Sequence, residues 1–189
     1  MTSKRLSCSG LCVGAVLFLA LLFLVSWMLK SEKLNENIQV NQKQQEIVFD
    51  LTVDYTRSLN EGIKSGNYDS VNQDITEKNF PSPTFTLASR KVTFKLFHFN
   101  RGIESNKVIL KMKDAGCRPA NIQELLVFGQ ANPKLQMGFP IIELGSVWEP
   151  CCGDRSVVCL RRLGPKRTLE LRSYESDWGG LCRFLAVSN

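Results

Sequence analysis

The stretch "GCRPANIQELLVFG", residues 116–129, decides how the middle of the chain folds. Gly116 suits the end of one helix, and Pro119 cannot continue that helix because it lacks a backbone N–H. Asn121 can cap a new helix, while Glu124 can reach back to the backbone of residue 121, which is a capping-box pattern. A second helix is therefore predicted at about 121–129, with Gly129 at its end.

This reading makes Glu124 a structural residue. The buried side of the helix comes from Ile122, Leu125, Leu126 and Phe128. Arg118 is not explained by the cap. It can brace the helix end or belong to a site, and we favour the bracing role.

A first helix is predicted just upstream, at about 105–115. Ser105 can cap this helix and Gly116 can end it. Its apolar stripe is supplied by Val108, Ile109, Met112 and Ala115.

Strands are predicted on both sides of the two helices. "EIVFDLTVDY" (46–55) and "SRKVTFKLFHF" (89–99) alternate apolar and polar residues, which is typical of strands. After residue 138, short β-favouring runs are separated by Gly, Pro and Asp. The predicted order of elements is strands, two helices and more strands, without repeated βαβ units. This order predicts one α+β domain at 46–189 with a largely antiparallel sheet.

The N-terminal segment predicts a membrane anchor. Residues 11–29 carry no charge, and 19 helical residues span about 28 Å, close to the ~30 Å hydrocarbon core. A short basic tail (1–10) precedes this span and a polar stalk (30–45) follows it. Lys4, Arg5 and the terminal amine favour a cytoplasmic N-terminus, whereas Lys30, Lys33 and Lys43 on the other flank favour the reverse. Of the two orientations, we slightly favour the one with the domain outside the cytoplasm.

The composition excludes several kinds of site. The single histidine, His98, rules out histidine metal cages and histidine acid–base pairs, and we read it as a strand-face residue. Phosphate-binding loops, HExxH and GxSxG are absent from the sequence, so no catalytic residue, metal or cofactor is predicted. Residues 31–189 hold 21 basic and 18 acidic groups, and a net charge of only +3 argues against a nucleic-acid partner.

Five of the seven cysteines fall in the predicted domain: Cys117, Cys151, Cys152, Cys159 and Cys182. Outside the cell they would allow at most two disulfides, and their spacing lacks the CxxC pairs of zinc sites. Cys159 is predicted to lie in the core. Cys151 and Cys152 are predicted to be exposed in a turn.

Two surface regions are candidates for binding. The turn "WEPCCGDRS" (148–156) gives a possible binding edge formed by Trp148, Asp154 and Arg155, with Arg118 as a further member. A hairpin around 159–172 gives a possible basic patch for phosphate or anionic lipid, formed by Arg161, Arg162, Lys166 and Arg167.

A resemblance adds a family but no activity. Four segments resemble a set of uncharacterised small bacterial proteins known from environmental genomes. They are "DYTRSLNEGIKSGNYDSVNQDITEKNF" (54–80), "RPANIQELLVFG" (118–129), "FPIIELGSVW" (139–148) and "CRFLAV" (182–187). The resemblance covers about residues 46–189. A much weaker likeness in fold links the same region to C-type-lectin-like bacterial domains, without their calcium-ligand run.

Three functions remain open at this point. The first is a single-pass membrane protein whose domain is a non-catalytic interaction module with a protein partner. The second is a hydrolase or transferase whose carboxylates and arginines meet only in three dimensions. The third is a basic adaptor that touches nucleic acid or anionic lipid. The sequence does not indicate a small-molecule ligand.

Overall fold

The computed structural model describes residues 24, 26–28, 30, 48–81 and 89–189. The chain divides into two compact units, Met1–Glu46 and Ile47–Asn189. In the first unit, residues 24, 26–28 and 30 are helical. The predicted tail, membrane helix and stalk lie almost wholly outside the described residues, within which no helix is long and apolar enough to span a bilayer.

The second unit is an α+β domain. Its helices are α1 (Leu59–Ser65), α2 (Ser105–Asp114) and α3 (Ile122–Ala131). A short 3-10 helix follows at Leu135–Met137. The strands are β1 (Val48–Asp54), β2 (Ser70–Val71), β3 (Ser89–Phe97), β4 (Ile103–Glu104), β5 (Cys117–Pro119), β6 (Ile141–Ile142), β7 (Ser156–Leu163), β8 (Lys166–Ser173), β9 (Asp177–Trp178) and β10 (Arg183–Ser188).

Eight strands form one mixed, mostly antiparallel sheet in the order β1-β3-β10-β6-β7-β8-β2, with β5 paired to β10. The β10–β6 and β8–β2 pairs are parallel, and the other pairs of this sheet are antiparallel. Strands β4 and β9 form a separate two-stranded sheet. The predicted α+β class with a largely antiparallel sheet is confirmed. The parallel pairs were not predicted, because β2 and β6 are too short to show a pattern.

The sheet is buried on both faces at its centre. Along β7, Val158 and Leu160 enter one hydrophobic cluster, whereas Val157 and Cys159 enter a second. Because side chains alternate along a strand, the two clusters lie on opposite faces. The first cluster packs under α1 and α3, and the second packs under α2.

The two consecutive helices are present, with ends that differ by one or two residues from the prediction. Gly116 has a positive φ of 68° just after α2, as expected of a residue that ends a helix. The predicted cap by Ser105 is wrong. Glu104 occupies the N-cap position, and buried Ser105 instead donates to the carbonyl of Tyr174 and accepts from Trp178 Nε1 at 2.8 Å. Ala115 is exposed, so it does not belong to the buried stripe.

Candidate functional site

The start of α3 is the centre of a buried polar cluster. Glu124 is fully buried, and Arg118 donates to both of its carboxylate oxygens, from Nη2 to Oε1 at 2.6 Å and from Nη1 to Oε2 at 2.9 Å. Tyr55, which lies 69 residues earlier, donates its hydroxyl to Oε1 at 2.5 Å. The backbone N–H of Asn121 donates to Oε2 at 2.8 Å. We call Tyr55, Arg118, Asn121 and Glu124 the α3 cluster.

The predicted capping box is confirmed, since Glu124 also donates its N–H to Asn121 Oδ1 at 3.0 Å. Glu124 has a larger role than a cap, because its buried carboxylate forms an ion pair with the partly exposed Arg118. The hydrogen bond to Glu124 raises the pKa of Arg118 above its ordinary value. Burial and the hydrogen bond to Glu124 raise the pKa of Tyr55 to about 12, so Tyr55 stays a neutral donor. The α3 cluster is thus an internally satisfied brace.

We expect Asn121→Ala to lower the free energy of unfolding by about 1 kcal/mol, because the backbone N–H of Glu124 loses its acceptor. Asn121→Ser should restore most of that loss, since Ser can also cap a helix. The midpoint of urea unfolding measures both effects. An Ala variant as stable as the wild type would show that the cap contributes little here.

A second buried carboxylate, Glu143, follows β6. Its Oε2 accepts the backbone N–H groups of Gly145 at 2.9 Å and Ser146 at 2.7 Å, and its Oε1 accepts that of Val158 at 3.3 Å. Desolvation outweighs these three donors and raises the pKa of Glu143 to about 8. The same turn supports α3, because Ser146 Oγ accepts the backbone N–H of Ile122 at 2.9 Å.

The residues of the predicted binding edge have separate surroundings. Trp148 packs against the first cluster beside Phe80, with ring centroids 6.4 Å apart. Arg155 pairs with Glu175 at 2.6 Å and stacks on Tyr174. Asp154 is exposed, and Arg118 belongs to the α3 cluster. These residues thus have different contacts, and the binding edge stays a prediction.

The four residues of the predicted basic patch also differ in their contacts. Arg161 pairs with Glu170 at 3.1 Å. Arg167 lies over the Tyr68 ring and donates to the carbonyls of Gly66 at 2.6 Å and Gly129 at 3.0 Å. Only Arg162 and Lys166 of the four predicted residues are exposed. The hairpin thus uses Arg167 to join β8 to the ends of α1 and α3.

Arg167→Lys should therefore lower the free energy of unfolding by about 2 kcal/mol. A single ammonium cannot reach the carbonyls of Gly66 and Gly129 as the branched guanidinium does, so a polar group inside the protein loses its partner. Urea unfolding measures the loss, and Lys166→Gln, next in the chain and exposed, is the matched control. Equal stability of the two variants would contradict the joining role of Arg167.

The described residues also form a concave surface between β1 and α3, which the sequence did not predict. We call it the β1–α3 groove. It has a volume of about 330 Å³ and is lined by Leu51, Thr52, Asp54, Arg57, Val127, Gln130 and Ala131. Strand β1 is the first strand in the sheet order, so one of its edges has no strand partner within the described residues.

Arg57 is the basic residue of the groove. Its Nη1 donates to Gln130 Oε1 at 3.3 Å and its Nη2 donates to Ser65 Oγ at 2.7 Å. Both acceptors are neutral, and within residues 48–81 and 89–189 no carboxylate forms an ion pair with Arg57. The groove therefore combines an apolar wall and a strand edge that has no strand partner among the described residues. Its guanidinium forms no ion pair there, but it interacts electrostatically with the carboxylates of Asp54 and Glu61.

The chain matches no known protein family, no curated protein and no solved structure. The site must therefore be judged by its chemistry. Among the described residues, no group of three or more His, Cys, Asp or Glu side chains is arranged to hold a metal ion. His98 follows β3, and its Nε2 lies 2.7 Å from the carbonyl oxygen of Gly180.

Sequence reasoning missed Tyr55, Arg57, Gln130 and Glu143. Arg57 and Gln130 are separated by 73 positions, and only the packing of α3 beside β1 brings them together. For Glu143, a signal did exist. A lone acid between apolar residues in "PIIELG" is a candidate for a buried carboxylate held by the turn that follows it.

Proposed function

We propose that the chain is a membrane-tethered, non-catalytic interaction module, which binds an extended segment of a partner protein along the β1–α3 groove. The observation that supports this proposal is an edge of β1 that pairs with no strand in residues 48–81 or 89–189, beside a concave, partly apolar surface. An exposed strand edge offers unpaired N–H and C=O groups, and extended peptides are recognised by adding a strand to such an edge.

The groove indicates what the bound segment carries. In a strand added to β1, every second side chain points to the α3 side of the sheet. Leu51, Val127 and Ala131 there favour an apolar side chain. Arg57 favours a carboxylate close to it, because an ion pair in which both partners are charged is stronger than the bonds to the neutral acceptors Gln130 and Ser65. Asp54 in the same lining restricts this carboxylate to the side of Arg57 that faces away from Asp54.

The other two candidate functions have less support. A hydrolase or transferase would need carboxylates and arginines directed at a substrate, whereas Arg118 and Glu124 are directed at each other. A basic adaptor would need the hairpin cations, whereas Arg161 and Arg167 make bonds inside the domain. The interaction module uses a surface whose lining remains accessible.

Selection of random peptides displayed on phage against the full chain tests the groove. We expect enriched peptides to carry an apolar residue beside Asp or Glu. Arg57→Gln should weaken binding of a synthetic enriched peptide about tenfold, which corresponds to ~1.4 kcal/mol. Ala131→Arg should abolish binding by filling the groove. Fluorescence anisotropy of the labelled peptide measures both effects.

The matched control is Lys113→Gln, which removes an exposed cation from α2, outside the groove. Its affinity should equal that of the wild type. Peptides without acidic residues, or binding that survives both Arg57→Gln and Ala131→Arg, would move the binding surface elsewhere. Urea unfolding of each variant separates lost binding from lost folding.

The anchor and the location belong to the same proposal. We place residues 11–29 in the membrane and the domain outside the cytoplasm, and residues 46–189 with the small bacterial proteins that they resemble. The support for the anchor is the uncharged run of 19 residues. The support for the orientation is Lys4, Arg5 and the terminal amine before the run, which compete with Lys30, Lys33 and Lys43 after it. The full chain should sediment with membranes, and deletion of 11–29 should release it. Protease added to intact cells should degrade the domain. Recovery of the full chain without membranes would remove the anchor, and protection from protease would reverse the orientation.

A further inference from the structure

A projecting loop carries two adjacent thiols. Trp148 and Ser156 close its base by exchanging two backbone hydrogen bonds, of 2.9 and 2.8 Å, in an isolated antiparallel bridge. Between them run residues 149–155, and the tip of the loop is exposed from Cys151 to Asp154. The sequence prediction that Cys151 and Cys152 are exposed in a turn is confirmed.

These two thiols are poorly placed to form a disulfide with each other. Neighbouring residues joined by a trans peptide bond have Cα atoms about 3.8 Å apart, and the described peptide bonds include no cis bond. Disulfides usually need a Cα separation of about 4.4–6.8 Å. A thiol of this pair that becomes oxidised therefore needs a sulfur from outside the pair.

Other cysteines of the domain cannot easily supply that sulfur. Cys117 and Cys159 are buried in the second hydrophobic cluster, and Cys182 packs partly buried against the same cluster. Burial raises the pKa of the Cys159 thiol to about 12 and raises that of Cys182. Within the described residues, the exposed thiols are therefore those of Cys151 and Cys152.

We propose that Cys151 and Cys152 form a site of intermolecular disulfide exchange that joins two copies of the chain. Under a two-fold axis, Cys151 of one copy faces Cys152 of the other, and the reverse pair forms by symmetry. All four thiols are then used. The exposed carboxylates of Glu149 and Asp154 oppose their counterparts across the axis, but salt screens such charges.

The chemistry requires a small-molecule disulfide, such as oxidised glutathione, as the oxidant. A thiolate of one copy attacks this disulfide, which gives a mixed disulfide and releases one small thiol. A thiolate of the second copy then attacks the protein sulfur, which forms the protein–protein bond and releases the second small thiol. Each interchain disulfide therefore reduces one molecule of oxidant to two thiols, and the protein loses two protons and two electrons.

The test treats the full chain in detergent with a glutathione redox buffer and follows it on non-reducing gels and by intact mass. We expect a dimer that thiol reductants dissolve, with tryptic peptides of 151–152 linked between copies. Cys151→Ser with Cys152→Ser should abolish the dimer. Cys182→Ser, and Cys8→Ser with Cys12→Ser, should leave its yield unchanged.

Three outcomes would overturn the proposal. One is a dimer that persists in the double variant at 151 and 152, and another is a monomer that carries only glutathione. The third is a monomer in which residues 151 and 152 are bonded to each other. Because both thiols are exposed, their serine variants should unfold at the same urea concentration as the wild type, which shows that a missing dimer reflects chemistry and not misfolding.

Discussion

Arg118→Met should lower the free energy of unfolding by about 3 kcal/mol, because it leaves the carboxylate of Glu124 buried without a counter-ion. Methionine keeps much of the aliphatic packing of the arginine, so the loss of stability comes mainly from the missing positive charge. Breaking a buried ion pair costs about 3–5 kcal/mol. We expect the lower end, since the Arg118 side chain is 39% exposed and water can approach from that side.

Urea unfolding measures this loss, and Lys113→Met, on the exposed side of α2, is the matched control. The Glu124→Gln change tests the cause. On the wild-type background, Glu124→Gln should lower the free energy of unfolding by more than the cap substitution Asn121→Ala does, because Arg118 loses its carboxylate partner. On the Arg118→Met background it should be neutral or stabilising, because it removes the unpaired charge. A loss below about 1 kcal/mol for Arg118→Met would show that water already solvates Glu124.

The domain should lose stability as the pH rises from 5 to 8, because Glu143 has its pKa raised from 4.5 to about 8 in the folded state. Between these values the folded protein holds a proton that the unfolded chain has released, so stability decreases with rising pH. Below pH 4.5 both states are protonated, and above pH 8 both are ionised, so the decrease is confined to this window. Its full size is on the order of 5 kcal/mol, at 1.36 kcal/mol for each pKa unit.

Urea unfolding at pH 5 and pH 8 measures the decrease, with Glu143→Gln as the matched variant. Glutamine does not titrate, so the two curves of the variant should lie much closer together. Asp54 and Glu61, whose carboxyl pKa values are lowered by hydrogen bonds to Thr56 and Ser58, act in the opposite direction and at lower pH. Equal stability of the wild type at both pH values would show that the three backbone donors keep Glu143 ionised at pH 5.

The sequence predicts those features of this protein that depend on near neighbours. The capping box needs only Asn121 and Glu124, three positions apart, and the structure contains it. Strand β1 needs only the alternation of Phe49, Leu51 and Val53 with polar residues, and these three pack against the first cluster. Such patterns depend on local geometry alone, so they can be recognised without knowing how the rest of the chain packs.

Features that depend on register and long-range packing could not be predicted in the same way. Arg162 and Arg167 are directly paired across the hairpin, yet one is exposed and the other reaches the carbonyls of α1 and α3. Counting charges along the hairpin treats them as equal. Likewise, Tyr55 meets Glu124 across 69 positions, which no periodicity in either segment encodes.

Strand β10 has a consequence for the order in which the protein matures on the ribosome. It contacts β3 along one edge and both β5 and β6 along the other, so it joins β1–β3 to the remaining strands of the large sheet. It is also the last strand to be synthesised among those described. Until residues 183–188 emerge, the nascent chain holds two unjoined parts of a sheet with exposed strand edges and apolar surface. We therefore expect the chain to be most prone to aggregation during this interval.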